Sequence, residues 1–65
     1  MQMNEFEEQV WLYMVKHKTP VTAKKMAKHF ICSESRVRKV LDTFVVGGTA
    51  EIVKLGNLKY YRIKE

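Results

Sequence analysis

Arg36, Arg38 and Lys39 fall within four residues of the stretch ICSESRVRKV, residues 31–40, with Val37 and Val40 interleaved. Guanidinium and ammonium groups at this density can donate hydrogen bonds to phosphate oxygens or to guanine O6 and N7. Each good bidentate pair to a base gives ~1–3 kcal/mol of discrimination. Ser35 can serve a base edge or a phosphate. Glu34 can accept from cytosine N4, or simply favour the positive end of a helix. The competing account is a solvated helix face, which is rich in charge in any protein. Other chemistries lack the residues. There are two histidines and one cysteine. His29 and Cys32 have an H-x-x-C spacing, but no second ligand pair exists for zinc. No phosphate-binding glycine loop and no nucleophile motif is present. No enzyme activity, metal or cofactor is expected. Cys32 is read as a buried turn residue and His17 as a helix-end residue.

The charge around these residues is uneven. The formal net charge is +5, yet residues 1–15 carry Glu5, Glu7 and Glu8 and no base. Residues 16–39 carry eight Lys/Arg against one acid, Glu34. A basic middle third points to an acidic partner such as nucleic acid. A lysine-rich solvated surface is the alternative. With 65 residues the chain makes one small domain, residues 1–65, with a thin core. The single cysteine excludes an internal disulfide, which a secreted domain this small would usually need. No segment approaches the ~20 apolar residues of a membrane span. The stretch MQMNEFEEQV lacks the basic flank and apolar run of a signal peptide. The expected location is the cytoplasm, with no membrane partner.

Three helical patterns and two strand patterns must position the basic residues. Asn4 is a good N-cap, with Glu7 at the capping-box position, for a helix running to about His17. Phe6, Val10, Tyr13, Met14 and His17 form its stripe. The run VWLYMV, residues 10–15, is apolar without a break. A helix cannot bury all six on one side, so Leu12 projects outward and Trp11 and Val15 lie on the flank. Pro20-Val21-Thr22 is extended and suits a short strand beside a later sheet. Thr22 then caps a second helix with Ala23, Met26, Ala27 and Phe30 inward. Ile31 is read as an apolar plug between two helices. Ser33 caps the third helix, 34–46, with Val37, Val40, Leu41, Phe44 and Val45 inward. Gly47-Gly48 stops it. Gly56-Asn57 between AEIVKL and LKYYRI reads as the tight turn of an antiparallel hairpin. Ile52, Ile63 and one of Tyr60 and Tyr61 are the expected inward residues.

The order is helix, short strand, helix, tight turn, helix, hairpin, with about three residues between the second and third helices. On these residues the chain resembles the winged helix-turn-helix domain of bacterial transcriptional regulators. In that pattern a threonine caps the second helix and an alanine within it admits the third, here Thr22 and Ala27. A serine cap, a valine and a leucine follow at four-residue steps, here Ser33, Val37 and Leu41. A glycine ends the third helix and a YY-R-I-like strand closes the wing, here Gly48 and Tyr60 to Ile63. The resemblance covers residues 10–63. Many members carry a glycine in the turn, where this chain has Cys32. In size and layout the chain is also similar to small regulators of fimbrial operons and to small phage or plasmid regulators.

The resemblance implies an α+β fold, three helices followed by a C-terminal β-hairpin wing, and a partner in double-stranded DNA. With the apolar stripe of the third helix inward, Ser35 and Lys39 point outward and Arg36 and Arg38 flank them. That face would enter the major groove. Lys24, Lys25 and Lys28 on the second helix would hold phosphates, as would Lys54, Asn57 and Lys59 around the wing turn. Arg62 would do likewise or pair with Glu51. Two alternatives remain. The first is a protein-interaction module, since fold does not dictate function. Trp11, Leu12 and Val15 would then dock a second copy or a larger DNA-binding protein. The second is RNA binding, which wants exposed aromatics that only Tyr60 or Tyr61 can offer.

Overall fold

Asn4 opens the first helix in the expected way. In the computed structural model, which describes residues 4–17 and 20–64, its side chain accepts from the Glu7 N–H at 2.8 Å. The Glu7 carboxylate accepts from the Asn4 N–H at 3.0 Å, which completes a capping box. Helix α1 spans Glu5–Lys16, with His17 as its C-cap. Thr22 caps α2, Ala23–Phe30, by accepting from Lys25 N–H at 3.2 Å. Ser33 caps α3, Glu34–Val46, by accepting from Arg36 N–H at 3.2 Å.

The turn between α2 and α3 departs from expectation. Ile31 adopts the left-handed conformation, φ 52°, and its side chain is 92% exposed. It plugs nothing. The Cys32 N–H reaches back to the Ala27 carbonyl at 3.0 Å, and the chain can close that loop only with a left-handed residue at 31. A β-branched side chain at positive φ is strained. The glycine-like position of the turn is therefore Ile31, and Cys32 beside it is half-buried against the core. The end of α3 closes the same way with the residue that suits it. Gly48 has φ 80°, the Thr49 N–H donates to Phe44 O at 3.0 Å and the Gly48 N–H to Val45 O at 3.1 Å.

Strands β1, Ala50–Leu55, and β2, Leu58–Ile63, form an antiparallel hairpin. Gly56 has φ 63° while Asn57 is not left-handed, the pattern of a type II′ turn. Ala50 pairs with Ile63, Ile52 with Tyr61 and Lys54 with Lys59. These pairs share the inner face, because side chains alternate along a strand. Ala50 and Tyr61 are buried on it and Ile63 is half-buried. Ile52 has the expected orientation but stays 37% exposed: it lies on the free edge strand β1, whereas its rung partner Tyr61 lies on β2, which is bridged to Val21.

The core joins Val10, Tyr13 and Met14 of α1, Met26 and Ala27 of α2, and Val37, Leu41 and Phe44 of α3. Trp11 closes one edge with its ring 5.6 Å from that of Phe44. Val21 is bridged to β2, giving and receiving backbone hydrogen bonds with Tyr61 at 2.9 and 2.7 Å. The expected short strand is thus one residue long. Tyr61 is 1% exposed, and its hydroxyl donates to Asp42 Oδ1 on α3 at 3.2 Å.

Two outcomes test this account. Ile31→Gly should raise stability by up to ~1 kcal/mol, because relief of the left-handed strain exceeds the added freedom of the unfolded chain. Urea unfolding reads it, and an unchanged midpoint would refute the strain. Tyr61→Phe, which keeps the buried ring, should cost ~0.5–1.5 kcal/mol in the same measurement.

Candidate nucleic-acid interface

Helix α3 presents two unlike flanks. Its inward residues are Val37, Val40, Leu41 and Phe44, all buried. Ser35, Lys39 and Asp42 are exposed, and Val46 at the far end of the helix is 88% exposed. On one flank the Arg36 guanidinium lies over the ring of Phe6 at 4.2 Å. Phe6 belongs to the first turn of α1, which also carries Glu5, Glu7 and Glu8. On the other flank Arg38 Nη2 pairs with Glu34 Oε1 at 2.9 Å, one turn away on the same helix. Both arginines thus have partners. An exposed i,i+4 pair holds its members by only ~0.3–0.5 kcal/mol, so Arg38 is available to a stronger anion. Among the described residues Lys39 makes no salt bridge, and its carbonyl accepts from Thr43 Oγ1 at 3.0 Å.

The Arg38 flank faces the hairpin. There a cleft forms between the start of α2, α3 and the hairpin tip, lined by Thr22, Lys24, Arg38, Asn57, Leu58 and Lys59. Among the described residues the one carboxylate lining it is Glu34, already paired with Arg38. The Lys59 ammonium lies over the Tyr61 ring at 5.5 Å, which holds it toward this cleft. A second, shallower groove runs between α2 and the start of α3, lined by Lys24, Lys28, Ile31, Cys32 and Glu34.

The structure therefore brings Lys24, Arg38, Asn57 and Lys59 together, with Lys28 beside them. Lys25 is exposed but lines neither groove, and Lys54 stands directly across from Lys59. Arg62 pairs with Glu51 at 2.7 Å, a surface pair that leaves it engaged at the hairpin base. Three features were not expected from the sequence: Thr22 as a lining residue, the Tyr61–Asp42 bond and the two leucines beside the hairpin turn. The leucine signal was present in the string KLGNLK, where a two-residue turn makes Leu55 and Leu58 cross-strand neighbours.

Elsewhere, Tyr13 lies between two histidines, with ring centroids 4.3 Å from His17 and 4.6 Å from His29. Among the described residues no group of three or more His, Cys, Asp or Glu is placed to hold a metal ion. No helix there is long and apolar enough to cross a membrane.

No protein-family model matches the chain, and no curated protein matches it significantly. Among solved structures, the chain is similar to the crystal structure of the ST1889 protein from the thermoacidophilic archaeon Sulfolobus tokodaii. The TM-score is 0.88 at 25% sequence identity, over 97% of this chain. The match spans 63% of that protein's chain, so the neighbour is substantially longer. The likeness is one of backbone architecture, and it reaches an archaeal protein rather than a bacterial or phage one.

The Arg36–Phe6 contact is directly testable. A double-mutant cycle of Phe6→Leu and Arg36→Met should return a coupling of ~0.5–1 kcal/mol in unfolding free energy. A coupling near zero would show that the stacked guanidinium contributes nothing.

Proposed function

We propose that this chain is a winged helix-turn-helix domain that binds double-stranded DNA as a transcriptional regulator. In this reading α3 enters the major groove, and α2 and the hairpin, as a wing, hold phosphates on either side. The observation that carries it is the cleft where Lys24, Arg38, Asn57 and Lys59 converge from three elements beside the outward face of α3. Charges brought together from α2, α3 and the hairpin repel one another, and an anionic partner relieves that repulsion. The three-helix and hairpin layout and the +5 charge support the same reading.

The geometry ranks the contacts. Ser35 and Lys39 are outward on α3 and meet base edges first. Arg38 follows, exchanging a weak ion pair with Glu34 for a stronger one with DNA. Arg36 must leave the Phe6 ring, so it contributes least to bases and reaches a phosphate at the groove edge. Lys24, Lys28, Lys54 and Lys59 hold the backbone without reading sequence.

A fluorescence-anisotropy titration of duplex DNA at stated salt tests this. The wild type binds, and Lys39→Ala and Arg38→Ala weaken binding. Lys24→Ala or Lys59→Ala lowers the salt slope by ~0.9 for each phosphate that is no longer neutralised. Absence of duplex binding at low salt, or indifference to Lys39→Ala and Arg38→Ala, would refute the reading. Single-stranded DNA and RNA competitors in the same titration separate it from an RNA-binding role.

A second reading rests on its own observation. Leu12 is 53% and Val15 45% exposed on the outer side of α1, next to half-buried Trp11. Such a strip suits a second copy or a larger DNA-binding protein. The two readings are compatible, because one recognition helix covers few base pairs. Sedimentation at rising concentration should show association by the wild type that Leu12→Glu abolishes. Monomers throughout would count against self-association.

A further inference from the structure

The hairpin tip reads Lys54-Leu55-Gly56-Asn57-Leu58-Lys59, and two of its features are costs that the isolated chain does not need. Leu55 and Leu58 stand directly opposite one another at 58% and 56% exposure. Lys54 and Lys59 also stand directly opposite, a like-charge pair that weakens a two-stranded sheet. Strand alternation puts the leucines on one face of the ribbon and the lysines on the other. The leucines share their face with Val53 and Tyr60, and the Glu51–Arg62 ion pair then closes the apolar strip. The strip thus ends at the tip, where Asn57 and Leu58 also reach the rim of the cleft beside α2 and α3. The apex itself is slim: nothing lies within 4 Å of where a Cβ on Gly56 would stand. Asn57 beside it offers an amide that can donate and accept.

The nearest charged surroundings decide what covers the leucines. Leu58 lines the cleft with Lys24, Arg38 and Lys59, and Lys54 stands across the ribbon. A second copy meeting this tip would bring an identical set of cations against it. The strip consists of Val53, Leu55, Leu58 and Tyr60, far fewer residues than the roughly 20–30 a side that a stable protein interface engages. A polyanion with an apolar interior fits both features: the phosphates answer the lysines and the base stack answers the leucines. Minor-groove architectural proteins combine lysine or asparagine contacts with inserted apolar side chains in this way.

We propose that the hairpin tip is an apolar wedge: Leu55 and Leu58 enter the minor groove and partly unstack a base step, so that the protein bends the duplex it binds. The inference rests on the DNA-binding reading above and adds a deformation to it. Lys54 and Lys59 straddle the groove on its phosphates, and Asn57 meets the base edges at its floor. Pyrimidine–purine steps are the preferred insertion points because they unstack most readily.

The test uses duplexes of about 30 base pairs that the wild-type protein retains from a random library, labelled at both ends for energy transfer. 2-Aminopurine replaces adenine at their pyrimidine–purine steps. Wild-type binding should shorten the end-to-end distance, as expected for a bend of roughly 20–90°, and brighten the 2-aminopurine. At concentrations that saturate the duplex, the Leu55→Ala/Leu58→Ala double variant should lose both signals, even where its affinity falls. Leu55→Met/Leu58→Met, which keeps the apolar bulk, should retain them. Matching thermal unfolding of all three proteins guards against loss of fold. A wild type that binds without either signal overturns the wedge and leaves DNA binding standing. The alanine variant keeping both signals overturns it as well, as does a dimer that becomes monomeric in that variant with the bend unchanged. A wild type that retains no duplex at low salt removes DNA binding and the wedge together.

Discussion

Tyr61 is the constraint on which the arrangement depends. Its backbone exchanges hydrogen bonds with Val21, its ring is buried, and its hydroxyl donates to Asp42 on α3. One residue thus ties the hairpin to the segment before α2 and to α3. A two-stranded hairpin alone is marginal in water. Here the residues that could contact a partner lie out toward its tip, so its direction matters as much as its stability. With β2 pinned at Tyr61, Lys59 falls two residues away, over the Tyr61 ring, and Asn57 and Leu58 reach the rim of the cleft. Without those bonds the cations of α2, α3 and the hairpin would have no fixed relation to each other.

Local signals carried most of the fold. Asn4, Thr22 and Ser33 cap helices because their side chains compete for the first free N–H groups, which depends only on near neighbours. The inward stripes of α2 and α3 followed from helical spacing. The misreadings concern positions where a long-range demand overrules a local preference. Ile31 looks like a core residue by type, but the geometry of a tight helix-to-helix turn forces it into the left-handed region, facing solvent. Ile52 is on the expected face, yet it lies on the free edge strand of the hairpin, and its rung partner Tyr61 takes the buried place. Tyr60 and Tyr61 are neighbours of identical type. Only the register with Ala50–Leu55 and the bridge to Val21 distinguish them. For the candidate site, the projection of α3 put Ser35, Arg36, Arg38 and Lys39 on the surface. It could not show that Phe6 and Glu34 engage the two arginines, since the first contact joins separate helices.

The local rules that this chain breaks lie on neighbouring ground. A β-branched residue at positive φ, two exposed leucines at a turn and two opposed lysines all surround α3 and the hairpin tip. A small domain has only ~0.05–0.15 kcal/mol of stability per residue, so such features are expensive for it. Departures of this kind concentrate where function and stability make different demands. By contrast, α1 is locally consistent on its inner side, with a complete capping box and acids at the positive end of its dipole. Its exposed Leu12 and Val15 are the exception, and they lie on the side of α1 turned away from the core.

The two flanks of α3 also fix how an anionic partner could approach. Arg36 lies over Phe6, in the first turn of α1, whose other charged residues Glu5, Glu7 and Glu8 are all acidic. The Arg38 flank opens instead onto Lys24, Lys59 and Asn57. A polyanion beside α3 would meet more positive charge on the second side, where two lysines join Arg38, than on the first, where Arg36 stands beside an acidic turn. The Debye length is ~8–10 Å at physiological salt, short enough that these neighbouring charges dominate over the net charge of +5. For any anionic partner, this asymmetry would favour the hairpin side of α3. A helix that entered a groove from this direction would bring the hairpin tip down onto the adjoining strand. The outward residues of α3 and the unequal charge of its flanks are thus separate properties: helical spacing sets the first, and the neighbours that the fold places beside each arginine set the second.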